Sequence, residues 1–298
     1  MNKVSVVILN YLNYLDTIEC VESIFEMNYE LEGIVIVDNH SNNESYKILS
    51  KKYKNNNRIV VIRTGQNYGF AKGNNIGIAI ARERFHTDFV LVVNNDTIFE
   101  QKDFFEKLLN HYEHGVGMIG SAIHLKGDAT QKEFLYDLSF IEMLKIILEL
   151  YLIQCGKVIW LFMVPAPKKR NEKKIIQGCA ILFTPDFFKH YSGFYKKTFL
   201  YAEEPILYFM CKKYSLRQIY VHDTFIYHKV NQSSEMSFHN DVNVKNNYRR
   251  QSYGYLVWWI IKDKVNETVK KLLQNQNIKE IYESTADLKN YGLESEKK

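Results

Sequence analysis

No two cysteines in this chain are spaced as a redox pair or a zinc finger would need. The four, Cys20, Cys155, Cys179 and Cys211, are scattered, so buried, reduced thiols are the expectation. No uninterrupted apolar run reaches the length that spans a bilayer, so no membrane-crossing helix is expected. The apolar residues 3–9 are too few for a signal peptide and run straight into Asn10, which makes a cytoplasmic location the default. A strong charge of one sign is also missing. Lys and Arg total 39 against 34 Asp and Glu, for a net charge of +5 and a pI near 8.7. That surplus suits anionic substrates or an anionic membrane surface, but it is too weak and dispersed for a nucleic-acid binder. Two glycine motifs are absent as well. The turn after the first strand reads Asn10-Tyr11-Leu12-Asn13 and carries no G-x-G-x-x-G, which argues against a dinucleotide-binding dehydrogenase. No G-x-x-x-x-G-K-[ST] occurs, which excludes a P-loop. There is no internal repeat.

What is present is a long, hydrophobic chain in which strand-like and helix-like patterns alternate. Its 298 residues, 46% of them hydrophobic, can bury one large core, with or without an extension. Residues 4–9, 34–37, 58–63 and 89–93 read as strands. Residues 14–27, 45–53, 71–84 and 102–112 read as helices, the first with Leu15, Ile18, Val21, Ile24 and Phe25 at near-helical spacing. That order predicts a largely parallel sheet with right-handed crossovers. Later the alternation fades. Residues 118–123 and 179–183 look like further strands, 203–214 like a helix, and 219–221 and 225–227 like two short strands. Two segments combine aromatics with flanking cations, residues 141–164 and 253–261. They suit core or dimer-contact helices, or helices lying in a membrane interface. Residues 168–174 read as a lysine-rich loop and 274–298 as a peripheral helix and tail.

The chemistry-bearing residues fall at strand ends. Asn10 follows the first strand, Asp38 and Asn39 the second, and Asn94, Asn95 and Asp96 the fourth. In an open parallel sheet these ends share one rim, where ligands bind. Asp96 either caps the next turn or grips a hard cation that bridges phosphate oxygens. Asp38 and the amides can read a base or ribose. The Gly-rich run from Gln66 to Gly77 contains Asn67, Gly69, Lys72, Gly73 and Asn74. It is either a tightly packed helix entry or a phosphate or sugar contact. Glu203 and Glu204 open a later helix with Pro205 behind them. They supply either first-turn charge or a general base. His228 ends a strand and is either structural or a metal or phosphate ligand. Nearby His222 and Asp223 hint weakly at metal binding, and Lys229, Arg249 and Arg250 are cations that could meet a diphosphate.

Together these pieces resemble family-2 glycosyltransferases of the GT-A fold, particularly bacterial rhamnosyl- and hexosyltransferase-like members that build surface polysaccharides. The matching stretches are residues 4–10, Val37-Asp38-Asn39-His40-Ser41, residues 67–75, Asn94-Asn95-Asp96, Gly193-Phe194, residues 201–204 and Tyr227-His228. The resemblance implies an α/β GT-A-type nucleotide-diphosphosugar transferase fold, with a central, mostly parallel sheet flanked by helices. It implies a catalytic domain over 1–230, with a nucleotide-sugar half at 1–115 and an acceptor half at 116–230, and a C-terminal helical extension at 231–298. It also implies inverting transfer of a hexose or deoxyhexose from a UDP- or dTDP-linked donor to a glycan or lipid-linked saccharide. The donor would meet Asn10, Asp38, Asn67, Gly69, Lys72, Asn74, Asn94, Asn95 and Asp96. A divalent cation, Mn2+ or Mg2+, would sit at Asp96 and His228. Relatives commonly carry Asp-x-Asp where Asn94 stands first here, and Gly-Glu-Asp where Ala202-Glu203-Glu204 stands. Glu204 takes the usual base position, with Glu203 as the alternative. A non-catalytic partner subunit of the same fold and a sugar nucleotidyltransferase are the competing readings. A homodimer and peripheral attachment at the inner face of the plasma membrane are further expectations.

Overall fold

The computed structural model describes residues 2–125, 176–229 and 241–272. The amphipathic stretch 141–164, the lysine-rich stretch 168–174, Cys155 and the tail 274–298 lie outside the described residues. Four strands form first: β1 (Val4–Asn10), β2 (Gly33–Asp38), β3 (Ile59–Arg63) and β4 (Phe89–Asn94). They pair in parallel in the order β3-β2-β1-β4. Their Val- and Ile-rich runs suit burial on both faces, because helices cover both sides of such a sheet. Helices α1 (Tyr14–Phe25) and α2 (Ser45–Tyr53) pack on one face, and α3 (Gly69–Phe85) packs on the other. The glycines of α3 serve close packing: a Cβ on Gly77 would meet Val7 Cγ1 at 2.3 Å. Helix α1 buries Thr17, Cys20, Val21 and Ile24, an i, i+3, i+4, i+7 stripe. The expected stripe was slightly rotated, since Leu15 and Phe25 are 65% and 51% exposed.

The rest of the sheet is mixed. After β5 (Thr97–Ile98) and α4 (Phe104–Asn110) come β6 (Val116–His124), β7 (Ala180–Phe183), a one-turn helix α5 (Pro185–Phe188), α6 (Glu203–Lys213), β8 (Arg217–His228) and α7 (Val242–Leu272). Strand β7 runs antiparallel between β4 and β6, and the full order is β3-β2-β1-β4-β7-β6-β8-β5. Only two residues separate β4 from β5, yet three strands lie between them in the sheet. A flat sheet would put them about 19 Å apart at the usual strand spacing. Three residue steps of extended chain reach only about 10 Å. The sheet therefore curls back on itself, and β8 supplies the curl. Two short strands were expected there. They are one strand with a register shift, in which Ser121 faces Val221 and the next residue, Ala122, faces Phe225. The extra residues form a bulge, which bends a strand and increases its twist. The bend brings Tyr227 and His228 into antiparallel pairing with Ile98 and Thr97.

Helix α7 packs on the body through Leu256 and Trp259, while Trp258 remains 47% exposed. No helix among the described residues is long and apolar enough to cross a membrane. Cys20, Cys179 and Cys211 are free and buried. Burial raises all three thiols, Cys20 and Cys211 to about 12, so they are not nucleophiles at neutral pH.

Candidate active site

The strand ends carry a continuous polar network. Asn10 donates to Asp38 Oδ2 at 2.7 Å, and the Ser41 N–H donates to Asp38 Oδ1 at 3.0 Å. Arg63 Nε lies 3.8 Å from that same oxygen. Asp38 is fully buried, so a carboxylate at the end of β2 is held by neighbours on β1 and β3. From Asn10 the network continues across α1. Thr17 donates to Asn10 Oδ1 at 2.8 Å, and Asn95 donates to Thr17 at 3.2 Å and to the Asn13 carbonyl at 3.0 Å. Asn10, Asp38 and Asn95 are thus brought together, and much of their hydrogen bonding sets the shape of the rim.

Asn39 organises the Gly-rich loop. Its amide donates to Asn67 Oδ1 at 2.9 Å and to the Gly69 carbonyl at 3.2 Å, and its oxygen accepts the Tyr68 N–H at 3.0 Å. Gly69 has φ +77°, and a Cβ there would meet the Phe199 carbonyl oxygen at 2.3 Å. Only glycine tolerates that conformation and that approach together. Lys72 is half-buried on α3, apart from the Asn10–Asp38 network. Asn74 donates to the Phe70 carbonyl at 3.0 Å, and its own buried oxygen has no protein partner.

A second cluster forms where β4 meets the curled end of β8. His228 Nε2 lies 3.2 Å from Asp96 Oδ1 and 3.3 Å from Asn94 Nδ2. The Lys229 N–H donates to the Asp96 carbonyl at 3.0 Å. The Lys229 ammonium reaches Asp16 at 2.6 Å and Glu19 at 2.5 Å. Lys229 therefore fastens the end of β8 to α1. A carboxylate oxygen, an imidazole nitrogen and a side-chain amide converge here, and among the described residues the buried Nδ1 of His228 has no partner. Such a set fits a hard divalent cation whose other positions go to phosphate oxygens and water. Among the described residues no group of three His, Cys, Asp or Glu gathers in one place. His222 and Asp223 sit exposed on the bulge of β8, with the His222 ring against Tyr220.

The third cluster opens α6. Gly178 N–H donates to Glu204 Oε1 at 3.1 Å, and a Cβ on Gly178 would come within 2.6 Å of that oxygen. The carbonyl of the next residue, Cys179, accepts the Asn94 N–H at 3.0 Å. Two consecutive residues thus tie the Glu204 carboxylate to the strand end that carries Asp96. Glu203 is buried, with one carboxylate oxygen lacking a partner. Burial first, and then the neighbouring Glu204 charge, push its carboxyl up to about 8. Burial also raises Glu204, against the lowering effect of backbone N–H groups including that of Gly178. Before the helix, Tyr201 and Ala202 both have positive φ, at 74° and 61°. The left-handed conformation of Ala202 is one that glycine adopts more readily.

The raised Glu203 carboxyl has a consequence for stability. Its folded value lies above the ordinary 4.5, so the folded protein binds the extra proton. That contribution is complete below about pH 4.5 and is lost as pH rises through about 8. Glu203→Gln is expected to flatten this decline and raise stability at pH 8 relative to the parent. Chemical denaturation at pH 5 and pH 8 measures it, and equal pH dependence in both proteins would refute it.

Reading the sequence missed four organising residues. Asn39 was visible beside Asp38, but its partners on the Gly-rich loop were not. Thr17 looks like an ordinary helix residue. Asn75 clamps the Phe194 backbone through bonds of 2.8 and 2.7 Å, a pairing across 119 positions that no local pattern reveals. Gly178 gave no signal of the carboxylate it holds.

The curled, mixed eight-stranded sheet flanked by helices is that of the GT-A fold. Residues 5–182 match the sequence profile described as Glycosyl transferase family 2, and the chain belongs to that family. It is 29% identical over 98 residues to the glycosyltransferase GlyG of Streptococcus pneumoniae, covering 33% of this chain and 31% of that protein. It is 25% identical over 123 residues to the low-salt glycan biosynthesis hexosyltransferase Agl10 of Haloferax volcanii, covering 41% and 37%. The matched stretches thus span about a third of each of these relatives. Among solved structures, the mannosyltransferase PcManGT of Pyrobaculum calidifontis, in complex with GDP-Man and Mn2+, superposes with a TM-score of 0.52 at 12% identity, covering 91% of this chain and 75% of that one. S. aureus TarS residues 1–349 in complex with UDP-GlcNAc superposes at 0.51 and 17% identity, covering 79% and 60%. These two likenesses are ones of fold.

Proposed function

We propose that this chain is an inverting glycosyltransferase. It moves a hexose or deoxyhexose from a UDP- or dTDP-linked donor to a hydroxyl of a glycan or lipid-linked oligosaccharide in surface-polysaccharide synthesis. The observation that carries this reading is the bridge through Gly178 and Cys179, which sets the Glu204 carboxylate beside the strand end bearing Asp96. The rim of Asn10, Asp38, Asn67 and Gly69 receives the nucleoside. Asn94 and Asp96 face the diphosphate. Asp96 and His228 would hold Mn2+ or Mg2+, which when bound stabilises charge on the departing diphosphate. Glu204 takes the proton from the acceptor hydroxyl as its oxygen bonds to the anomeric carbon. The bond from that carbon to the diphosphate breaks on the opposite face, so configuration inverts and no covalent nucleophile is required. The buried thiols are consistent with this.

Calorimetry with UDP, dTDP, GDP and CDP, each with and without Mn2+, tests the donor site. One of UDP or dTDP is expected to bind at least ~10-fold tighter than GDP and CDP, and more tightly with Mn2+. No binding of any diphosphate would favour a non-catalytic partner subunit of the same fold.

The exposed face of α7 supports an acceptor presented at a membrane. Trp258 and Ile261 are exposed, and the Lys197 and Lys262 ammonium groups lie 5.9 and 4.9 Å from the Trp258 ring centre. Apolar residues ringed by cations suit an anionic bilayer surface. The protein is expected to pellet with phosphatidylglycerol vesicles and not with phosphatidylcholine vesicles, and Trp258→Ala is expected to reduce pelleting several-fold. Equal recovery in the supernatant with both lipids would count against a membrane-bound acceptor.

A further inference from the structure

We infer that helix α7 is the positioning element of the catalytic base, acting through Tyr248, Arg249 and Ser252 on Phe199, Leu200 and Tyr201, which lead into and open the strained turn. The inference rests on Glu204 being that base. The grip is residue by residue. The Tyr248 ring stacks on Phe199 with centroids 4.5 Å apart and planes 15° from parallel. The buried Ser252 hydroxyl donates to the Leu200 carbonyl at 2.9 Å. The Arg249 guanidinium lies 4.7 Å from the centre of the Tyr201 ring. Tyr201 is itself left-handed, as is Ala202 after it, and Glu203 and Glu204 follow.

Two successive non-glycine residues at positive φ are both strained, because Cβ crowds the neighbouring carbonyl oxygen there. Such a conformation persists only where its surroundings over-determine it. Upstream, that determination comes from α7. Downstream, it comes from the Gly178 N–H on Glu204. Phe199 also reports to the donor half, because its carbonyl accepts the Phe70 N–H at 2.7 Å. One side of this segment thus touches the Gly-rich loop and the other touches α7. Both the helix and the segment it grips lie beyond residues 5–182 of the family match. Loosening it lets the Glu204 carboxylate drift from its Gly178 anchor. A misplacement of about 1 Å can cost ~100-fold in rate without loss of binding.

The test uses the full chain and, with water as the acceptor, the rate of nucleoside diphosphate release from UDP-glucose or dTDP-rhamnose, whichever matches the diphosphate that binds. Tyr248→Leu and Ser252→Ala are each expected to lower kcat at least ~10-fold, with KM and diphosphate Kd within about twofold of the parent. Tyr248→Phe, which keeps the stacked ring, is expected to restore the parental rate. In a Glu204→Gln background Tyr248→Leu is expected to cause no further loss, because both changes remove one function. An unchanged kcat in Tyr248→Leu and Ser252→Ala would overturn the inference. So would a loss that adds fully to that of Glu204→Gln, or one that tracks weakened diphosphate binding. Full activity in Glu204→Gln itself would instead overturn the assignment of the base.

Discussion

Glu204→Gln is expected to reduce kcat by ~100- to 10,000-fold, the range for loss of a positioned general base, while diphosphate affinity stays at the parental level. Glutamine keeps the size of the side chain, and its carbonyl oxygen can still accept from Gly178, so the turn before α6 should survive. What it cannot do is accept a proton. The pH profile gives an independent reading. The base must be ionised to act, and burial holds the Glu204 carboxyl above the usual carboxylate range. The rate should therefore climb with pH through a point above 4.5, and that acid limb should vanish from the residual rate of Glu204→Gln. Steady-state rates across pH 5–8 check both points, and an acid limb retained in the variant would assign it to another group.

Asp96→Ala is expected to cost ~100- to 1,000-fold in kcat, the range for removal of one group that stabilises charge in a reacting site. It is also expected to abolish the response of diphosphate binding to Mn2+. His228→Ala should weaken that response and leave part of it. Asp96 brings the carboxylate of this cluster and His228 the imidazole, 3.2 Å apart. Removing the carboxylate leaves only neutral ligands for the cation. Calorimetric titration of UDP and dTDP at fixed Mn2+ measures the effect. Parental, Mn2+-dependent affinity in Asp96→Ala would place the cation elsewhere.

The first half of the fold was legible because its parallel strands are continuous apolar runs and each ends in a polar residue. Local pattern sufficed to place Asn10, Asp38 and Asp96 along one rim. The second half was less legible, for a physical reason. Strand β8 is interrupted by His222, Asp223 and Thr224, which read as a break and prove to be a bulge in one strand. Strand β5 is two residues long and exists only because β8 curls over to pair with it. The same long-range geometry decides the roles at the site. Asp96 and His228 were both candidates, yet their adjacency depends on that curl. Lys229 looked like a free cation for a diphosphate until its partners on α1 appeared. The Gly69 and Gly73 pattern was ambiguous in sequence between packing and ligand contact. Geometry shows the packing directly, with Gly69 against Phe199 and Gly73 against Leu9.

The curl of β8 also sets an order of assembly. Strands β1 to β4 and their helices are near neighbours in sequence and can form among themselves early, since short loops close at small entropic cost. The Asp96–His228 pair closes a loop of more than a hundred residues and needs the last strand in place. A chain still being synthesised can therefore complete the Asn10–Asp38 contact well before Asp96 meets His228. The strand-end network of the first half and the carboxylate–imidazole pair are thus built at different times.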